Sequence, residues 1–201
     1  LENTMKKIRA AVTTALALST VLLLSGCATG DTDGSMPGMD HGSSSAPADV
    51  DEADIMFTSM MIVHHQQAIE MSDIVLASPG VDPAVTALAQ RIKTAQGPEI
   101  EQLEGWLDEW GVGPDDRDAG AMDHGDGMMS DDDLAALREA DGAEASRLFL
   151  EQMIAHHEGA VEMAQTQVDE GSDQEAVELA QTIIDAQTEE IQEMKDLLSS
   201  L

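Results

Sequence analysis

The chain reads as an all-α protein, a four-helix bundle made of two copies of one αα-hairpin, and three observations point there. From Asp51 onward apolar residues recur at helical spacing, with no convincing alternation for a strand. A segment then repeats: residues 57–76 match 149–168 at an offset of ninety-two, pairing Phe57 with Phe149, Met61 with Met153, His64-His65 with His156-His157, Ala68 with Ala160, Glu70 with Glu162 and Met71 with Met163. After a one-residue gap, "LAQRIKTAQGPEIEQL" at 88–103 matches "LAQTIIDAQTEEIQEM" at 179–194, so each copy holds two helices.

Before the bundle come two segments of different character. Lys6, Lys7 and Arg9 precede an apolar run from Ala10 to Leu24 and then small residues up to Cys27. That pattern is a secretory signal, and the run is too short for a membrane span. Its end, Leu24-Ser25-Gly26-Cys27, resembles the bacterial lipoprotein box, so removal of residues 1–26 and lipidation of Cys27 are expected, with Met5 as the start. Residues 27–50 are rich in Gly, Ser, Pro and Asp and cannot bury enough apolar surface to offset ordering, which makes them a linker.

Residues 51–201 are the bundle, with repeat one over 51–111, a second acidic, Gly-rich linker over 112–131 and repeat two over 132–201. "SPGVDP" (78–83) and "DEGSD" (169–173) supply the hairpin turns, and a short helix is expected near Leu134 to Ala140. Pro98 has no N–H to offer the Thr94 carbonyl, so Gly97-Pro98 should kink the second helix.

Composition removes several function classes. Cys27 is the one cysteine, which rules out an intrachain disulfide and thiolate metal chemistry in the bundle. Without residues 1–26 six basic side chains face thirty-nine acidic ones. Nucleic acid is excluded as a natural partner. Such a field attracts cations and repels anionic headgroups, so acyl chains, two or more, would hold the protein at the membrane.

Helix geometry aims the histidine doublets inward. At one hundred degrees per residue Phe57, Met61, His64, Ala68, Met71 and Val75 form one row, and Ile62, His65, Ile69 and Leu76 form the next. Both histidines lie on the apolar stripe, and His156-His157 repeat the arrangement; Gln66, Gln67, Glu70 and Asp73 fall outside it. On the partner helices Gln96 and Glu99, and Gln187 and Glu190, project into the apolar arc. Counted from the turns, these groups share a height, so one polar layer of four histidines, two glutamates and two glutamines should cross the core. Hydrogen bonding that merely sets helix register is the structural alternative.

The linkers supply a second observation. Met39-Asp40-His41-Gly42 and Met122-Asp123-His124-Gly125 repeat one tetrapeptide, and with the doublets they account for all six histidines. Met36, Met128 and Met129 extend these clusters in segments with no core to fill. Thioether sulfur is a soft donor needing no deprotonation, and imidazole suits copper, so the set favours Cu(I), Cu(II) or Ag(I) over Mg and Ca. Zinc would recruit Cys, His and carboxylate rather than thioether, and di-iron bundles use Glu-x-x-His, which occurs before no histidine here. Zinc and iron are therefore less favoured. The candidate metal ligands are His64, His65, His156, His157, Met60, Met61, Met71, Met153 and Met163, with Glu99 and Glu190 as orienting or direct ligands and Met39, His41, Met122 and His124 as weaker linker sites.

The segments Met61 to Met71 and Met153 to Met163, of the form M-I-x-H-H-x-x-A-x-x-M, resemble the bacterial domain-of-unknown-function family 305 over about residues 51 to 200. The resemblance implies a ferritin-like four-helix fold, an envelope location and, for characterised relatives, copper binding and copper resistance. Gln152 stands where the first repeat has Met60, so the halves need not bind equally. The expectation is a non-enzymatic copper-binding lipoprotein at the outer face or in the periplasm, with metal ions, the membrane through its anchor and a copper-transfer protein as partners. A metal-dependent oxidase, for instance of Cu(I), and a structural or signalling module without metal are the alternatives.

Overall fold

The structure, a computed structural model, describes residues 50–113 and 127–201. Within them the elements are α1 (Glu52–Ala77), α2 (Pro83–Glu109), α3 (Asp131–Glu139), α4 (Gly142–Glu170) and α5 (Gln174–Ser200), and no strand. The four long helices form the bundle, and the short α3 is the helix expected near Leu134. The signal segment, Cys27, and both Met-Asp-His-Gly segments, with Met39, His41, Met122 and His124, lie outside the described residues.

Local chemistry sets the helix ends. Asp51 accepts from the Ala53 and Asp54 amides while Asp54 reaches back to the Asp51 amide at 2.9 Å, a reciprocal cap that satisfies otherwise orphaned N–H groups. Asp82 caps α2, whose first residue is Pro83, where a missing N–H costs nothing. Gly111 (φ 72°) closes α2: its N–H reaches the Asp108 carbonyl and that of Val112 the Leu107 carbonyl. α2 stays helical through Gly97-Pro98.

α1 and α4 pack centrally and antiparallel, α2 folds back on α1, and α5 on α4. Ties at both ends set this register. At one end Asp54, fully buried, accepts from the Gln167 side chain at 2.5 Å and from the Ser172 and Asp173 amides. At the other, the Gly142 amide donates to Pro79 and the Asp82 amide to the Ser146 hydroxyl. Removing a partner of a buried carboxylate costs more than an average hydrogen bond, so the Asp54 tie is the stronger register device.

The antiparallel pairing divides the core. Phe57, Met61, Leu103, Trp106 and Ile183 pack in one apolar half with Ala160 and Ala164; Met71, Leu88, Ile92, Phe149 and Met153 pack in the other with Ala68. Burial of the large side chains contributes about 1.5 to 3 kcal/mol each. Basic residues make exposed cross-helix pairs, Arg91 with Glu193, Arg138 with Glu70 and Lys195 with Glu158, each worth about 1 kcal/mol at most.

Candidate metal centre

Between the two apolar halves lie the histidines. All four are buried, as are Gln96 and Gln187. His64 and His156 meet across the α1/α4 seam, their ring centroids 3.7 Å apart and their planes inclined by 37°. His65 and His157 sit to either side, each paired with the facing glutamate of its own hairpin: His65 Nε2 lies 2.8 Å from Glu99 and His157 Nε2 2.7 Å from Glu190. The glutamates are 23% and 22% exposed, so each spans from the buried imidazole toward the surface.

The pairing has a chemical consequence. A carboxylate only accepts, so Nε2 of His65 and of His157 carries a proton, and Nδ1 is the lone-pair atom of each ring in its neutral form. Both Nδ1 atoms are buried without a protein hydrogen-bond partner, as are both ring nitrogens of His64 and of His156. Burial, reinforced by the neighbouring His65 and His157, pushes the His64 pKa down to about 3. His156 is pushed well down by burial first and then by His64, His157 and His65, opposed last by an approach of the His64 backbone that falls short of hydrogen-bond geometry and leaves the ring unsatisfied. At neutral pH both central rings are therefore neutral and able to donate a lone pair.

Of the thioethers, Met61 lies in one apolar half, and Met71 and Met153 lie in the other, all three fully buried. They flank the histidine layer from opposite sides. Met60 and Met163 instead line a cavity where α1 begins and α4 ends. Among the described residues no three His, Cys, Asp or Glu side chains converge on one point.

Two features escape the sequence reading. Gln67, assigned to the outer face, clamps the chain entering α3: its amide donates to the Met129 carbonyl at 2.9 Å and accepts from the Met129 amide at 2.7 Å. Gly127 (φ 108°) presses onto α4, where an added Cβ would sit 2.6 Å from the Ala155 carbonyl oxygen and 3.0 Å from Gly159 Cα. Residues 127–129 thus strap across α1 and α4 at the height of the doublets. The one sequence signal is Gly159 itself, standing where the first repeat has Gln67.

The family model described as domain of unknown function (DUF305) matches residues 54–198. The chain belongs to this family. Among solved structures, a DUF305 protein from Streptomyces coelicolor, described as secreted, is 35% identical, with a TM-score of 0.67 over 74% of this chain and 93% of that one. A DUF305 fragment from Deinococcus radiodurans is 30% identical, with a TM-score of 0.64 over 76% and 99%. CopM in its Cu(I)-bound form is 32% identical, with a TM-score of 0.62 over 73% and 96%, and CopM is also known bound to Cu(II) and Ag. No curated protein matches the chain.

Proposed function

We propose that the protein is an extracytoplasmic copper-binding lipoprotein that sequesters copper or hands it on, with His64, His65, His156 and His157 as the principal ligands. One observation carries this reading: six buried imidazole nitrogens have no protein partner in the middle of an otherwise packed core. Each unsatisfied buried polar group costs about 1 to 3 kcal/mol, and a half-satisfied network is worse than an apolar one. Helix register alone would not favour such a layer, because the His65–Glu99 and His157–Glu190 pairs already provide polar specificity. Copper ligation would use the lone pairs that packing leaves idle.

The chemistry of the donors fits the cargo. Neutral imidazole with thioether nearby suits Cu(I) over hard cations, and Glu99 and Glu190 orient their histidines as carboxylates do behind metal-bound imidazole. The similarity to CopM, a protein with Cu(I)-, Cu(II)- and Ag-bound forms, supports the same class of cargo. In this proposal the function is binding rather than turnover, Cys27 carries the anchor, and the Met39-His41 and Met122-His124 segments are weaker collecting sites for exchange with a copper-transfer partner. Among the described residues no helix is long and apolar enough to cross a membrane.

A double variant tests the central claim. His64→Leu with His156→Leu should lower Cu(I) affinity by about a hundredfold or more, measured against a chromophoric chelator, while leaving metal-free stability equal or higher, because buried polar groups without partners have been removed. Full affinity retained, or a loss of several kcal/mol in urea unfolding, would show instead that the central pair is there for packing.

A further inference from the structure

The cavity beside the first turns of α1 is lined by three thioethers. Met56 and Met60 are one turn apart and so share a face of α1, and Met163 comes from α4. The space is about 360 Å³, with Phe57 in its wall and the exposed carboxylates of Glu52 and Glu170 among its lining groups. Met56 is 37% exposed, an unusual place for a residue whose ordinary use is filling core gaps.

Internal symmetry provides a control for packing. The positions equivalent to Met56, Met60 and Met163 in the other repeat are Leu148, Gln152 and Met71. There, α3 covers the ground: Gln152 donates to the Asp133 carbonyl, Leu148 packs against the core, and Met71 is fully buried. Where a helix closes the surface, the three equivalent positions keep one sulfur and it is inaccessible. Where the surface is open, three sulfurs line the opening.

We infer that Met56, Met60 and Met163 form a thioether site for a soft monovalent cation, Cu(I) or Ag(I), at this end of the bundle and separate from the histidine layer. Three neutral sulfur donors discriminate against Zn, Mg, Ca and Cu(II), which prefer nitrogen or oxygen. Glu52 and Glu170 raise the local cation concentration without occupying the sulfurs. Unbranched methionine side chains can close around a small ion from positions that now line a wider space.

The test is a titration of the full chain, labelled with ¹³C at the methionine methyls, with silver nitrate. The Met56, Met60 and Met163 methyls should shift together, and a Met56→Leu, Met60→Leu, Met163→Leu chain should bind about one equivalent fewer while the imidazole signals of His64 and His156 still respond. If the three methyls stay still, or the triple variant binds as much silver as before, the site does not exist. The two assignments fail separately: responding methyls with silent histidine rings would remove the histidine reading and leave this site, and the reverse would remove this site alone.

Discussion

In the first hairpin position 67 is a glutamine that grips the Met129 backbone from both sides; in the second its equivalent is Gly159, on which Gly127 rests. Position 60 is a methionine facing a cavity, and its equivalent, Gln152, holds the Asp133 carbonyl. Yet thirty-odd residues along each hairpin the same His–Glu bond recurs, at 2.8 and 2.7 Å. Interior chemistry has been kept in duplicate while the exteriors have diverged to attach one connecting segment and one short helix. Residues in contact across a pseudo-twofold must satisfy each other twice over, whereas an outward residue answers to one neighbour. The symmetric layer is thus the part under a shared constraint, and the outward surface is the part left free to differ.

The largest expected effect tests whether the layer is symmetric in energy as well as in geometry. His64 and His156 resist protonation in the native state, while the unfolded chain takes up these protons near pH 6.5. Stability is then fully present above that pH and declines as pH falls, through to about 3 for His64. The slope starts near half its full value at pH 6.5 and approaches about 1.4 kcal/mol per pH unit per histidine below that, or about 2.8 for both. The other titratable groups acting on them are His65 and His157, and measuring metal-free urea unfolding between pH 6.5 and 5 keeps clear of most carboxylate titration. Replacing either central histidine with leucine should remove about half of the slope, whichever is chosen. A slope that disappears with one substitution alone would break the symmetry.

Next in size are the two carboxylates. Glu99→Gln and Glu190→Gln each replace a charged acceptor with a neutral amide that can also turn its NH2 to the ring, so the imidazole loses its fixed tautomer, and each should weaken copper binding about ten- to a hundredfold. Equal losses are expected from equal bonds. Should only one variant lose affinity, a single hairpin supplies the site and the other His–Glu pair is there for packing.

The asymmetric surface is probed by Gly127→Ala. A methyl there meets backbone rather than a movable side chain, at a positive φ, so the strap must lift, at a cost of about 1 to 3 kcal/mol unless peeling relieves it. Exchange of the Met129 amide hydrogen should quicken while the amides of α2 are unaffected. Gly105→Ala, with nothing within 4 Å of the added carbon, should do the opposite and stabilise by about 0.5 to 1 kcal/mol. Equal protection of Met129 in both variants would mean that the strap is not seated through Gly127.

Much of the architecture is legible because the chain carries its own comparison. The offset of ninety-two aligns both doublets from residue order alone, and helical angles place Gln96, Glu99, Gln187 and Glu190 inward, where the glutamates do meet histidines. Periodicity gives a face but not the direction of the neighbour on it. For that reason Met61 and Met153, equivalent in sequence, fall on opposite sides of the layer only through the antiparallel packing of α1 and α4, which no single-helix pattern encodes. Gln67 escapes for another reason: it binds backbone atoms, which no side-chain pattern records. Met56 lies off the repeated motif, and only the cavity gives it company.

The smallest effect, and the sharpest test of why the halves differ, comes from Gln152→Met, which restores to the second hairpin the residue of the first. The exposed bond to the Asp133 carbonyl is lost, and methionine is at least as good a helix former as glutamine, so stability should fall by about 1 kcal/mol or less. Copper affinity at the histidine layer should not change, because Gln152 touches α3 rather than a ring. Silver stoichiometry should not rise either: Leu148 offers no sulfur, Met71 is fully buried, and α3 covers the ground where a cavity would have to open. A gain of about one equivalent of silver in this variant would mean that one added thioether suffices for a site, and the difference between the two ends would then lie in a single side chain rather than in the helix laid over one of them.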